Sequence, residues 1–94
     1  MKKEERILTL HPDGKKGVHI SYKKYETIRK FILKTLKARK QMTYQELNDL
    51  AISKLSESFD GSVPWYVVSV KLDLEARKVI ERVPKTSPHE IKMV

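Results

Sequence analysis

The sequence predicts an α+β fold: an extended N-terminal segment, three helices and a C-terminal β-hairpin. Three observations carry this. Apolar residues recur at helical spacing between positions 25 and 36. The tetrad Thr43-Tyr44-Gln45-Glu46 is a capping box, which starts a second helix. Two β-prone runs, "VIERV" and "EIKMV", flank the proline-bearing turn "PKTSPH" near the C-terminus.

The elements follow in order. "ILTL" and "VHI" read as short extended pieces around "HPDGKKG", a turn rich in glycine and proline. His11, before Pro12, reads as a turn residue. Ser21 is placed to cap a helix over 22–39 by accepting a bond from an early N–H. Tyr25, Ile28, Ile32 and Leu36 form the apolar stripe of that helix. Lys23, Lys30, Lys34 and Lys37 lie opposite, with Arg39 and Lys40 at the end. The second helix starts at Thr43, buries Tyr44, Leu47, Ala51 and Leu55, and fades near Glu57, ahead of the turn dipeptide Asp60-Gly61.

The stretch "DGSVPWYVVSVKLDLEAR" reads two ways. Val68, Val70, Leu72 and Leu74 alternate with polar residues, as in a half-buried strand. Its valines favour strand. Ser62 as a cap and Pro64 in a first turn favour helix. A strand of this length would far exceed the usual 5 or 6 residues. Helix is the better reading, with positions 63, 67, 70 and 74 on one stripe about 60° wide. Trp65, Val68, Leu72 and Ala76 then form a second apolar stripe, roughly opposite. The extended segment thus covers 1–21, the helices 22–77 and the hairpin 79–94, in one domain.

Composition bounds the function. The chain has 94 residues, no cysteine and a net charge of +8. Disulfides, thiolate metal sites and thiol nucleophiles are therefore excluded. No apolar run approaches the roughly 18 residues of a membrane span, and the N-terminus lacks a signal peptide's apolar core. A cytoplasmic location is expected. The charge is uneven: +9 over residues 1–40, −3 over 41–60 and +2 over 61–94. Excess positive charge favours a polyanionic partner, although lysine-rich solvated faces are also ordinary. Catalysis finds little support. His11, His19 and His89 are far apart in the sequence, no serine sits in a nucleophile-elbow setting, and "DGKKG" is no phosphate loop. No enzyme activity, metal or cofactor is expected, nor a small-molecule substrate.

Three helices followed by a hairpin, together with "LEARKVIERV", resemble the winged helix-turn-helix superfamily. In such regulators a leucine closes the third helix, a left-handed residue caps it, and "Leu-Ile-x-Arg" opens the wing. Lys78 departs from the glycine usual at the cap, which puts the helix end in doubt by a residue or so. "LHPDGKKGV" and "FDGSVPWYV" also resemble a small bacterial family of uncharacterised single-domain proteins.

The resemblance implies a nucleic-acid-binding protein, with DNA the favoured partner. The third helix would bring Ser62, Tyr66 and Ser69 to a major groove. The wing would offer Arg82, Lys85, Thr86 and Ser87, with His89, to phosphates. The alternative reading of the wing is an ordinary exposed loop, and of the lysine stripe an ordinary solvated face. The third helix has a weakness as a reader of bases: its second stripe is apolar, and it carries Asp73 and Glu75. Either the N-terminal segment covers Trp65, Val68 and Leu72, or a second subunit or protein partner does. The competing function is thus a protein-interaction or dimerisation module.

Overall fold

A computed structural model describes residues 5–94. Residues 1–4 of the expected extended segment lie outside the described residues. The remainder forms β1 (Arg6–Leu8), β2 (His19–Ser21), α1 (Tyr22–Arg39), β3 (Gln41–Thr43), α2 (Tyr44–Leu55), α3 (Val63–Ala76), β4 (Ile80–Val83) and β5 (Glu90–Met93). The fold is α+β, with three helices and two small antiparallel sheets. Among the described residues, no helix is long and apolar enough to cross a membrane.

The two extended pieces pair antiparallel, with Ile7 opposite Ile20. Between them, His11 closes a turn twice: its carbonyl accepts the Gly14 N–H at 3.0 Å, and its Nδ1 accepts the Asp13 N–H at 3.1 Å. Gly17 lies against Thr9, where a Cβ would come within 1.7 Å of the Thr9 carbonyl oxygen. Any side chain there would force the loop apart.

Each helix begins at a side-chain cap. Ser21 Oγ accepts the Lys24 N–H, and Ser62 Oγ accepts the Trp65 N–H. At α2 the capping box is complete: Thr43 Oγ1 accepts from the Glu46 N–H at 3.0 Å, and Glu46 Oε1 accepts from the Thr43 N–H at 3.1 Å. The valine-rich stretch is helical, so its alternation distributes apolar groups over two sides of α3.

The end of α3 keeps the left-handed residue at Lys78, with φ 65°. The Lys78 N–H donates to the Glu75 carbonyl at 3.1 Å and the Val79 N–H to the Leu74 carbonyl at 3.0 Å. That pair of bonds is a Schellman closure, which satisfies two carbonyls the helix leaves open. Lysine in place of glycine therefore leaves the turn intact and carries its steric cost instead.

The core lies where the three helices meet the C-terminal sheet. Ile28, Ile32 and Leu36 of α1, Leu47 and Ala51 of α2, and Val67, Val70 and Leu74 of α3 are fully buried, joined by Ile80 and Ile91 of the sheet. Each large aliphatic side chain removed from water contributes about 1.5–3 kcal/mol. Tyr44 and Leu55 of the expected α2 face are only half-buried.

The hairpin forms as expected, with β4 and β5 paired around a loop over 84–89. It gains a third strand that the sequence did not announce. β3 pairs with β5, with Met42 opposite Ile91, so the strand order is β3-β5-β4. Three residues are too few to display a period of two, and Thr43 is already committed as a helix cap.

Candidate functional site

α3 organises the surface, and its four sides differ. At 100° per residue, Val63, Val67, Val70 and Leu74 face the core. Trp65, Val68, Ser69, Leu72 and Ala76 occupy the opposite, outer side. Tyr66, Asp73 and Arg77 lie on one flank, and Lys71 and Glu75 on the other.

The outer side is open at its start. Trp65 is 44% exposed, while Val68, Ser69, Leu72 and Ala76 are half-buried. The elements packed against α3 are α1, α2 and β4, whereas β1 and β2 pack on α1. The main packing of β1 and β2 is thus on α1 rather than on α3. The chain just beyond β1 meets α3 at the Asp73 flank, through the Leu10 N–H.

The first flank centres on Asp73, which has no solvent exposure. Its Oδ1 accepts the Leu10 N–H at 2.8 Å, its Oδ2 accepts the Tyr25 hydroxyl, and both oxygens accept Arg77 Nε at 3.0 and 2.9 Å. Burial, and then the bond to Asp73, hold the Tyr25 hydroxyl far above its usual range. The bond to Asp73 also raises the Arg77 guanidinium. Asp73 is thus spent on tying α1, α3 and the N-terminal segment together. The sequence signal for this was Arg77 four residues on, a spacing that brings the pair together on a helix.

The second flank holds Lys71, whose side chain is 8% exposed and whose Nζ lies 2.6 Å from Glu75 Oε1. Lys71 also sits over the Tyr44 ring, 5.3 Å from its centroid. Tyr44 stacks on His89 of the 84–89 loop, with centroids 5.7 Å apart and planes 9° from parallel. His89 Nε2 and Asn48 Oδ1 are buried with no hydrogen-bond partner among the described residues. Burial, and then the positive charges of Lys71 and Arg82, push the His89 imidazole below its usual range, with Glu75 opposing. Tyr44 is raised by burial.

These two flanks correct one expectation. Asp73 and Glu75 do not present acid to a ligand on the outer side. Each flanks that side, somewhat less than a quarter-turn from its centre, and both are paired.

The predicted contact residues divide into groups. Ser69 shares the outer side of α3 with Trp65, Val68 and Leu72. Ser62 is at the N-terminal end, its hydroxyl accepting the cap bond. Tyr66 is on the far flank, packed edge-on against Phe59 at 5.0 Å and Trp65 at 4.9 Å, with Lys24 5.6 Å from its ring centroid. On the hairpin, Arg82, Lys85 and Ser87 are exposed. Thr86 works inside the loop: its hydroxyl donates to the Val83 carbonyl at 2.8 Å and accepts the Glu90 N–H at 2.9 Å. The contact of His89 with Tyr44 fixes the base of this loop beside α3.

The lysine stripe on α1 is fully presented. Lys23, Lys30, Lys34 and Lys37 are exposed. Among the described residues, no three histidine, cysteine, aspartate or glutamate side chains converge as a metal site.

Residues 6–91 match the sequence profile of a family described as a family of unknown function, DUF6958. No curated protein and no solved structure matches the chain.

Proposed function

The chain belongs to the DUF6958 family, of unknown function, and we propose that it is a winged helix-turn-helix protein that binds nucleic acid, with DNA favoured. The observation that carries this reading is topological. A strand between the first two helices joins a hairpin that follows the third, in the order β3-β5-β4. That is the arrangement winged helices share, with the third helix beside the wing. The net charge of +8 supports a polyanionic partner.

In this reading the wing grips phosphates through Arg82 and Lys85, with Ser87 and the Ser69 hydroxyl adding polar contacts. Thr86 shapes the loop. The outer side of α3 offers no arginine, asparagine or glutamine, the side chains that read base edges by paired hydrogen bonds. Binding is therefore dominated by the backbone and discriminates weakly between sequences. The activity is binding, not catalysis, in the cytoplasm.

An NMR titration with a short duplex tests the assignment of surface. Amide signals of residues 82–87 and Ser69 are expected to shift together. A duplex that binds while leaving these signals unmoved contradicts the proposed face.

A second reading draws on the outer side of α3 itself. Trp65 at 44% exposure beside Val68 and Leu72 suits a homodimer or protein partner. Leu72→Lys separates the two, because lysine at a half-buried site can carry its charge out to water. Sedimentation should then show weakened self-association in a folded protein. Unchanged association removes the dimer reading.

A further inference from the structure

The lysine ridge of α1 lies on the side of the molecule turned away from α3. We propose that this ridge is a second phosphate-binding surface, so that one copy of the chain holds two nucleic-acid segments at once. The inference rests on the nucleic-acid reading above and extends it from binding to bridging.

The spacing is the first argument. At 100° per residue, Lys23, Lys30, Lys34 and Lys37 fall within about 60° of one another. At about 1.5 Å per residue they extend some 21 Å along the helix. An extended row of this kind matches a polyanion better than it matches a single small anion.

The second argument is what the ridge lacks. Among the described residues, none of these four lysines has an ion-pair partner, while Lys24 pairs with Asp60 and Arg29 with Glu26 nearby. Lys30 and Lys34 are four apart and Lys34 and Lys37 three apart, so like charges are neighbours on the helix surface and repel. The helix dipole accounts for only part of this pattern. It favours Lys37 in the last turn, but it disfavours Lys23 in the first turn, which carries no acidic residue. An external anion relieves both costs.

The third argument is direction. The face of α1 opposite the ridge is the buried stripe of Tyr25, Ile28, Ile32 and Leu36. That stripe packs toward α3, and the Tyr25 hydroxyl reaches Asp73. A duplex on the wing and the outer side of α3 therefore leaves the ridge uncovered. Along the ridge, Leu33 and Ala38 line a shallow open depression bordered by Arg29, Lys30, Lys34 and Lys37. It is a surface that a backbone can lie along.

A two-duplex capture experiment tests this. One duplex is tethered to beads, and a second, labelled duplex is offered at low salt with the full chain. The wild type is expected to bring the labelled duplex to the beads. The variant Lys30→Gln/Lys34→Gln/Lys37→Gln should still bind single duplexes, but co-capture should fall to the level seen without protein. Arg82→Gln/Lys85→Gln should also lose co-capture while still binding duplex through the ridge. Circular dichroism checks that both variants fold.

Two results overturn the bridging claim while leaving nucleic-acid binding in place: wild type that binds duplex without co-capture, and a ridge variant that co-captures as well as wild type. The latter would point to bridging through a dimer. Wild type that binds no duplex at low salt overturns the underlying reading, and capture by phosphatidylserine vesicles in its place would assign the ridge to a membrane surface.

Discussion

The backbone N–H of Leu10 donates to the carboxylate of Asp73 across 2.8 Å, linking positions 63 residues apart. The same carboxylate takes the Tyr25 hydroxyl and Arg77 Nε. Three segments therefore depend on one buried charge. Removing that carboxylate strands the buried Tyr25 hydroxyl and frees the other two donors, and a stranded buried donor costs about 1–3 kcal/mol. Asp73→Ala should lower the urea midpoint accordingly, and the Leu10 amide should exchange its hydrogen faster. Tyr25→Phe removes one bond to a charged acceptor and should cost about 1.5–3 kcal/mol. A midpoint for Asp73→Ala within error of wild type would show that the cluster does not hold the segments together.

Lys78 carries a φ of 65° in a closure that glycine adopts freely. Replacing it should relieve strain of about 1 kcal/mol. Lys78→Gly is expected to raise the thermal midpoint, a rare case in which glycine stabilises. A lower midpoint would mean that the lysine side chain contributes more than its backbone costs.

His89 gives the chain a pH dependence with a definite sign. Its proton affinity is depressed in the folded state by burial and by Lys71 and Arg82. The unfolded chain therefore binds a proton first as the pH falls. Stability is full above the ordinary histidine pKa of about 6.5 and is lost as the pH drops through the folded value. Tyr44, Lys71, Glu75 and Arg82 are the ionisable groups facing His89, from α2, α3 and β4. His89→Phe keeps a ring against Tyr44 and should flatten the loss between pH 7.5 and 5.5 in urea unfolding. Equal losses in both proteins would remove His89 as the cause.

How far the sequence carried these conclusions depends on the range of each interaction. Ser21, the Thr43–Glu46 box and Ser62 act over three residues, and all three helix starts were legible from them. The stripes of α1 and α3 were legible because helical periodicity repeats over several turns. β3 was not, since Gln41–Thr43 acquires its strand character from β5, some fifty residues away. Asp73 was misread as a surface acid for the same reason. Its nature depends on Tyr25 and Leu10, which no local pattern brings together. The stack of His89 on Tyr44 is likewise set by how the hairpin folds back. The second apolar stripe was legible as a pattern, but its half-buried state was not, since burial is set by tertiary packing rather than by spacing along the chain.

On the proposed function, the chain binds nucleic acid through its phosphates. The measurement that bears on it most directly is the affinity for a labelled duplex as a function of salt. The logarithm of the affinity should fall linearly with the logarithm of the salt concentration, with a slope of about −0.9 for each phosphate contact. Arg82→Gln/Lys85→Gln should make that slope shallower by about two contacts, whatever the duplex sequence. No binding at low salt, or an affinity indifferent to salt, would contradict the account.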